Sequence, residues 1–206
     1  QQALTTYLLD GLTRGERVVY CADEHTEATL VDYLYRHGVG RYLATGQLQI
    51  FDAKQIYLPS GRFQREAMMR LLEEQTQQAM AAGHHGLWVT GEMTWALRGH
   101  PGSEQLAEYE SRLHTVFAEP ACRLTAVCQY HRRRFSPRVL LDSLLTHPVV
   151  AIDTEVAPNP WFMSPDQFLN ADRRGGMMRD WMAEPGHRSR LQDTLRLPEA
   201  QMSELL

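Results

Sequence analysis

The sequence predicts an α/β protein: a three-layer fold with a mostly parallel sheet and helices on both faces. Three observations predict it. Short apolar runs at Arg17–Ala22, Leu48–Phe51, Leu87–Thr90, Arg123–Tyr130 and Val149–Ile152 have the length of buried strands. Longer stretches with apolar residues at helical spacing separate them. Their alternation is the pattern of βαβ units, whose crossovers cover both faces of a sheet.

The elements follow in order. Leu4, Leu8, Leu9 and Leu12 have helical spacing, and Gly15 stops that helix. RVVYCA, Arg17 to Ala22, is the first strand. Thr26 or Asp23 can cap the next helix, which carries Leu30, Tyr33 and Leu34 and ends at Gly38. A short helical piece around Tyr42 and Leu43 ends at Gly46, and Leu48–Phe51 is the second strand. Asp52 to Phe63 reads as an irregular connection, with a turn at Tyr57-Leu58-Pro59-Ser60-Gly61. A long helix from Phe63 to Ala82 sets Met68, Leu71, Leu72 and Met80 at apolar positions, and Gly83 terminates it.

Leu87–Thr90 is the third strand and runs into Gly91-Glu92. Met93 to Leu97 begins a short helix, broken by Gly99, Pro101 and Gly102. Ser103 can cap a helix reaching Phe117, with Leu106, Tyr109 and Leu113 on one side. Arg123–Tyr130 is the fourth strand. Ser136-Pro137 opens the next helix, with Val139, Leu140, Leu144 and Leu145 facing the core. Val149–Ile152 reads as a fifth strand. After Asp153 the texture changes: Pro158, Pro160 and Pro165 break regular structure, and a helix over Phe168–Met182 is interrupted at Gly175-Gly176. From Pro185 the chain is charged, with a weak pattern at Leu191, Leu195 and Leu197. That texture predicts a linker or a stub of further protein, not a second core.

Bulk properties bound the function. A chain of 206 residues fits one domain with an appendage. A hydrophobic fraction of 43% and a charged fraction of 22% are those of a soluble globular protein. A net charge of −4 argues against general nucleic-acid or membrane-surface binding. No apolar run approaches the ~18 residues of a membrane helix, and the polar start, Gln1-Gln2-Ala3, is no signal peptide. The start lacks Met, as in a sequence trimmed at its front. Cys21, Cys122 and Cys128, without a CxxC, predict reduced structural thiols and a cytoplasmic location.

The candidate site residues cluster after strands, where open α/β sheets bind ligands. Glu92 follows the third strand. It can accept hydrogen bonds from a ligand, or simply complement a helix N-terminus. Trp95 is a candidate pocket wall and equally a core residue. Asp23, Glu24 and His25 follow the first strand, where two carboxylates and an imidazole can orient water, hold a metal or read a polar ligand. The alternative is that Asp23 caps a helix and Glu24 is solvated. Tyr130 ends the fourth strand, and Arg132 to Arg134 form a basic turn that can hold an anion or stay solvated. The nine histidines show no convincing ligand spacing, and HExxH, GxSxG, GxGxxG and GxxxxGK[ST] are all absent. No catalytic residue is assigned.

Several segments together resemble one family. LLDGLTRGERVVYCADE from Leu8, GQLQIFDA from Gly46, YLPSGRF from Tyr57, TGEMTWAL from Thr90, CQYHRRRF from Cys128 and THP from Thr146 are similar, in order and spacing, to the MEDS domain, the methanogen/methylotroph, DcmR-type sensory domain. NPWF at Asn159 to Phe162 resembles its closing stretch. The resemblance implies a sensory domain over residues 1–162, with residues 163–206 as a helical extension or linker. It also implies a RecA/KaiC-like sheet, a degenerate ATPase core. Asp23 and Glu24 match that core's acidic pair, and Leu87–Thr90 matches its Walker B strand. Gly91-Glu92 departs from the usual ending, and the strand carrying the phosphate loop would lie before Gln1. Two departures, no Walker A lysine and an altered Walker B end, speak against ATP hydrolysis.

What the resemblance implies is a non-enzymatic, cytoplasmic sensor of a small organic molecule that regulates an output partner: a transcription factor, a histidine kinase or an anti-sigma pathway. Candidate ligand contacts are Glu92, Trp95, Asp23, Glu24, His25, Tyr57, Tyr130 and Arg132. The segment from Asp52 to Phe63, or the tail after Asp153, would move. The domain itself would bind no nucleic acid and no membrane, and the tail could pair two copies into a homodimer. The cofactor is left open. Three alternatives stand beside this reading: a residual nucleotide-binding ATPase-like enzyme, with Asp23 and Glu24 positioning water and Arg132 or Arg133 on phosphate; a metal or cofactor sensor using histidines and cysteines; and an interaction module without a ligand.

Overall fold

A computed structural model of the protein describes residues 2–117, 122–152 and 155–205. Gln1 and Asp153, on which two of the sequence readings fall, lie outside the described residues. The chain divides into two compact units, Gln1–Leu106 with Phe117–Tyr130, and Ala107–Val116 with His131–Leu206.

The first unit is an α/β sheet flanked by helices. In chain order it runs α1 (Gln2–Thr13), β1 (Arg17–Ala22), α2 (Glu27–Arg36), α3 (Arg41–Ala44), β2 (Leu48–Asp52), α4 (Ala53–Tyr57), α5 (Arg65–Ala81) and β3 (Leu87–Glu92). Two 3-10 turns, Met93–Arg98 and Ser103–Gln105, follow; after α6 (Leu106–Phe117), whose residues Ala107–Val116 belong to the second unit, β4 (Leu124–Gln129) completes the sheet. The four strands lie in the order β2-β1-β3-β4, all parallel. The two central strands are almost wholly buried, as parallel strands covered on both faces must be.

Register fixes the faces. Val18 stands beside Trp88, Tyr20 beside Thr90, and Glu92 beside Gln129. Val18, Tyr20 and Ala22 pack with Leu48 and Trp88 against Leu8 and Leu12 of α1 and Leu30 and Leu34 of α2. Thr26 caps α2, accepting from the Thr29 N–H, so that one of the two candidate caps is used and Asp23 is free for other work. On the other face the Tyr57 hydroxyl lies against Gly91. A Cβ built at Gly91 would stand 2.2 Å from that oxygen, so glycine here lets the α4 side chain reach the strand.

Several expectations need correction. The connection after β2 is not irregular: Asp52 caps α4 through the Lys54 N–H, and Tyr57 ends that helix buried. Ser103 does not cap α6; it opens a 3-10 turn, and the helix starts at Leu106. Met80 is exposed rather than apolar core: it lies at the edge of the buried stripe of Met68, Leu72, Thr76 and Ala79, in the last turn of the helix.

The second unit holds α7 (Pro137–Thr146), strands β5 (Val149–Ile152) and β6 (Glu155–Pro158), and helices α8 (Pro165–Leu169), α9 (Ala171–Ala183), α10 (His187–Leu195) and α11 (Glu199–Leu205). β5 is not a fifth member of the parallel sheet; it pairs antiparallel with β6 in a separate two-stranded ribbon. The pairing residues Val149 and Pro158 flank a short excursion, too short for a parallel crossover. The glycine pair Gly175-Gly176 does not interrupt α9; the break falls at Asn170, whose side chain caps α9 through the Arg173 N–H. Nor is the segment after Pro185 a bare linker: Leu191, Leu195 and Met202 of α10 and α11 are buried. Asn159 fixes the chain reversal after β6. Its amide donates to the Leu144 and His147 carbonyls at 2.5 and 2.7 Å, and its carbonyl accepts from the Trp161 N–H at 3.0 Å.

Candidate functional site

The sheet order makes one position special. From β1 the chain passes to β2 on one side, then crosses back to β3 on the other. The carboxyl ends of β1 and β3 therefore border the point where strand order reverses, the usual ligand crevice of an open α/β sheet. Asp23, Glu24 and His25 leave β1 there, and Glu92 closes β3 there.

Glu92 is the centre of the arrangement. It is only 4% exposed, and its carboxylate reaches across to the turn after β1. Oε2 accepts three consecutive backbone N–H groups, from Asp23 at 2.7 Å, Glu24 at 2.5 Å and His25 at 3.3 Å. Oε1 accepts the Tyr20 hydroxyl at 2.7 Å and meets His25 Nδ1 at 2.6 Å. Successive N–H groups converging on one point form an anion-binding nest, and here the protein's own carboxylate fills it. Burial alone would push the Glu92 carboxyl up. The hydrogen bonds from Tyr20, Asp23, His25 and Glu24 outweigh burial and hold it below the ordinary value. The carboxylate is thus an anion that only accepts, so His25 Nδ1 is the protonated nitrogen and donates. The His25 side chain is 40% exposed, and Nε2 has no hydrogen-bond partner among the described residues.

Asp23 forms a second layer. Its carboxylate accepts the Thr94 hydroxyl at 2.7 Å and Arg98 Nη1 at 2.6 Å. The Asp23 side chain is buried, while the guanidinium is partly exposed. The hydrogen bond from Arg98 to Asp23 raises the Arg98 pKa further. Glu24 is exposed at the rim.

Trp95 lies in the core at 0% exposure, stacked on Tyr57 with ring centroids 4.9 Å apart and tilted against Phe63 at 5.1 Å. Its Nε1 is buried without a hydrogen-bond partner among the described residues. Tyr57 lies over Gly91 and hydrogen-bonds the Cys21 thiol. Burial pushes that thiol up to about 12. None of Cys21, Cys122 and Cys128 is in a disulfide, and Cys21 is fully buried.

The structure therefore brings Asp23, Glu24, His25 and Glu92 together at the ends of β1 and β3, with Tyr57 against Gly91 and Trp95 stacked on Tyr57. Tyr130 follows the last residue of β4 and is half-buried. Arg132 is in the second unit, where it lines a cavity with Arg133. Sequence reasoning missed four participants: Tyr20, Thr94, Arg98 and Gln129. Gln129 donates to Thr90 Oγ1 at 2.9 Å and also reaches the Tyr20 hydroxyl. The signal for Tyr20 was its position in strand alternation, two residues from the strand end on the side that faces Thr90.

Among the described residues no helix is long and apolar enough to cross a membrane. No solved structure matches the sequence. The chain is similar to the Transcriptional repressor DcmR of Methylorubrum extorquens, at 29% identity over 93 residues. The match covers 45% of this chain and 35% of that repressor, so the chain spans only about a third of its relative. The sequence matches the MEDS family, MEthanogen/methylotroph, DcmR Sensory domain, over residues 1–148, which contain Asp23, Glu24, His25 and Glu92. The chain belongs to the MEDS family of sensory domains.

Proposed function

We propose that this protein is a cytoplasmic, non-enzymatic receptor for a small organic molecule, bound in the crevice between the ends of β1 and β3. The observation that carries the reading is the built-in anion, Glu92, seated in the nest formed by the amides of Asp23, Glu24 and His25. An anionic ligand cannot use those amides while the Glu92 carboxylate holds them. Nucleotide hydrolysis is the less economical reading of such a site. A half-exposed imidazole with Nε2 open, rimmed by Glu24, suits recognition of a polar group on a small molecule. The orphaned Trp95 indole N–H supports a hydrogen-bond acceptor reaching the layer below.

A ligand that bonds His25 or displaces Glu92 from the nest changes the β1–α2 turn. The change propagates only if the ligand prefers one arrangement of that turn. Tyr130, at the end of β4, and Tyr57 are further contacts in this reading. The similarity to a transcriptional repressor supports an output in gene regulation, through a partner protein or a fused region. The sensory part extends to residue 162, and residues 163–206 connect it to that output.

Hydrogen–deuterium exchange with and without the small-molecule fraction of host cells tests this. Protection should rise in peptides covering residues 20–27 and 92–98. An unchanged exchange pattern there, with the change elsewhere, removes the crevice as the site.

A further inference from the structure

Strands β5 and β6 form a ribbon of their own, with no third strand on either side among the described residues. Val149 stands beside Pro158, Val150 beside Ala157, Ala151 beside Val156 and Ile152 beside Glu155. The Asn159 N–H donates to the Pro148 carbonyl at 2.9 Å, which sets the phase of the ladder. Successive antiparallel pairs alternate between bonded and non-bonded. Val150 therefore bonds Ala157 and Ile152 bonds Glu155, while the N–H and C=O groups of Val149, Ala151 and Val156 point away from the ribbon. We propose that β5 pairs antiparallel with β5 of a second copy of this chain, joining the two ribbons into one continuous sheet.

The two edges of the ribbon differ. On β6 the outward positions are Val156 and Pro158, and proline has no N–H to offer. A proline facing outward closes a strand edge to further pairing. The β5 edge has no such block: Val149 and Ala151 each present a donor and an acceptor. Neither has a further backbone partner among the described residues.

The side chains select the occupant. Val149, Ala151, Val156 and Pro158 share one face and are all exposed, Val149 at 53% and Val156 at 71%. A lone two-stranded ribbon with a bare apolar face is marginal in water. Strand β5, VVAI, is apolar and uncharged, so two antiparallel copies set no like charges opposite each other. Glu155, the one charge among the described residues of the ribbon, lies on β6, away from the paired edge. The outward positions fix the dimer register: Val149 faces the partner's Ala151, Ala151 faces the partner's Val149, and Val150 meets the partner's Val150 on the two-fold axis. Each Val149–Ala151 pair exchanges both of its hydrogen bonds, and the two apolar faces become continuous. A strand of 4 residues buries little area, so the dimer should dissociate on dilution.

Sedimentation velocity of the full chain over a range of concentrations tests the proposal. The expected result is a monomer when dilute and a dimer when concentrated. Ala151→Pro removes an outward donor and no bond within the ribbon, so it should fold as the wild type does and weaken dimerisation at least about tenfold. Val150→Cys leaves the backbone as it is, and the introduced thiols meet on the two-fold axis. Mild oxidation should join them, as read by peptide mass mapping. A chain that stays monomeric at every concentration, so that another protein would have to supply the strand, overturns the proposal. Equal dimerisation by folded Ala151→Pro, or a dimer whose introduced thiols do not join, overturns it too.

Discussion

His25 Nδ1 and Glu92 Oε1 are 2.6 Å apart, joining the turn after β1 to the end of β3 through a protonated ring nitrogen and a carboxylate. The same carboxylate holds three backbone amides of that turn, so one side chain defines the turn's shape. Glu92→Ala leaves the Tyr20 hydroxyl and those amides without their acceptor. The expected cost is about 3 kcal/mol in chemical denaturation, since buried donors left unsatisfied are expensive. Glu92→Gln keeps one carbonyl acceptor and should cost less than the alanine change.

Stability should also depend on pH through Glu92. Its folded-state pKa is depressed, so the stabilisation is fully present above the unfolded-state value of about 4.3 and is lost as pH falls through the lower folded value. Denaturation curves between neutral pH and pH ~3 should show this loss, and Glu92→Gln should flatten it.

Asp23 and Arg98 form a pair with one buried and one partly exposed member. A double-mutant cycle with Asp23→Asn and Arg98→Ala should give a coupling of about 1 kcal/mol, because solvent screens the guanidinium. Raised ionic strength should reduce it. A coupling that salt leaves unchanged would contradict the role of the exposed partner.

Gly91 permits the close approach of Tyr57, which is itself stacked on Trp95. Gly91→Ala would set a Cβ 2.2 Å from the Tyr57 hydroxyl, so the buried ring must shift against its stack. The expected destabilisation is about 2 kcal/mol, with a change in tryptophan fluorescence. Tyr57→Phe in the same background removes the hydroxyl that collides and should recover part of the loss.

Thiol labelling reads the layer beneath. Cys21 is buried and its thiol is raised to about 12, so a thiol reagent at pH ~8 should leave it unmodified in the native protein. No more than the other two cysteines should react until the chain is unfolded.

The central strands of the first unit were legible in the sequence because they are buried on both faces and read as continuous apolar runs. Arg17–Ala22 matches the structure for that reason, and the expected edge strand Leu48–Phe51 is one residue shorter than the observed Leu48–Asp52. Helix α4 was not legible: five residues beginning after a strand carry too little periodicity to separate helix from loop. The second core was missed because Leu191, Leu195 and Met202 are sparse in a charged segment, and only tertiary packing shows that they are buried. At the site, the order of Glu92 after a strand was readable. That its carboxylate returns to the amides of Asp23, Glu24 and His25 depends on β1 and β3 being neighbours, which strand order decides and local sequence does not. Arg98 and Thr94 were hidden for the same reason, since their partner Asp23 is far away in the chain.

Native mass spectrometry of the protein purified from its own host tests the central claim most directly. The wild-type chain should carry a small organic adduct. His25→Ala, which removes a half-exposed ring and leaves the other Glu92 hydrogen bonds in place, should be folded and should lose it. A wild-type protein of bare polypeptide mass, or an adduct kept in full by His25→Ala, would contradict a receptor built at the ends of β1 and β3.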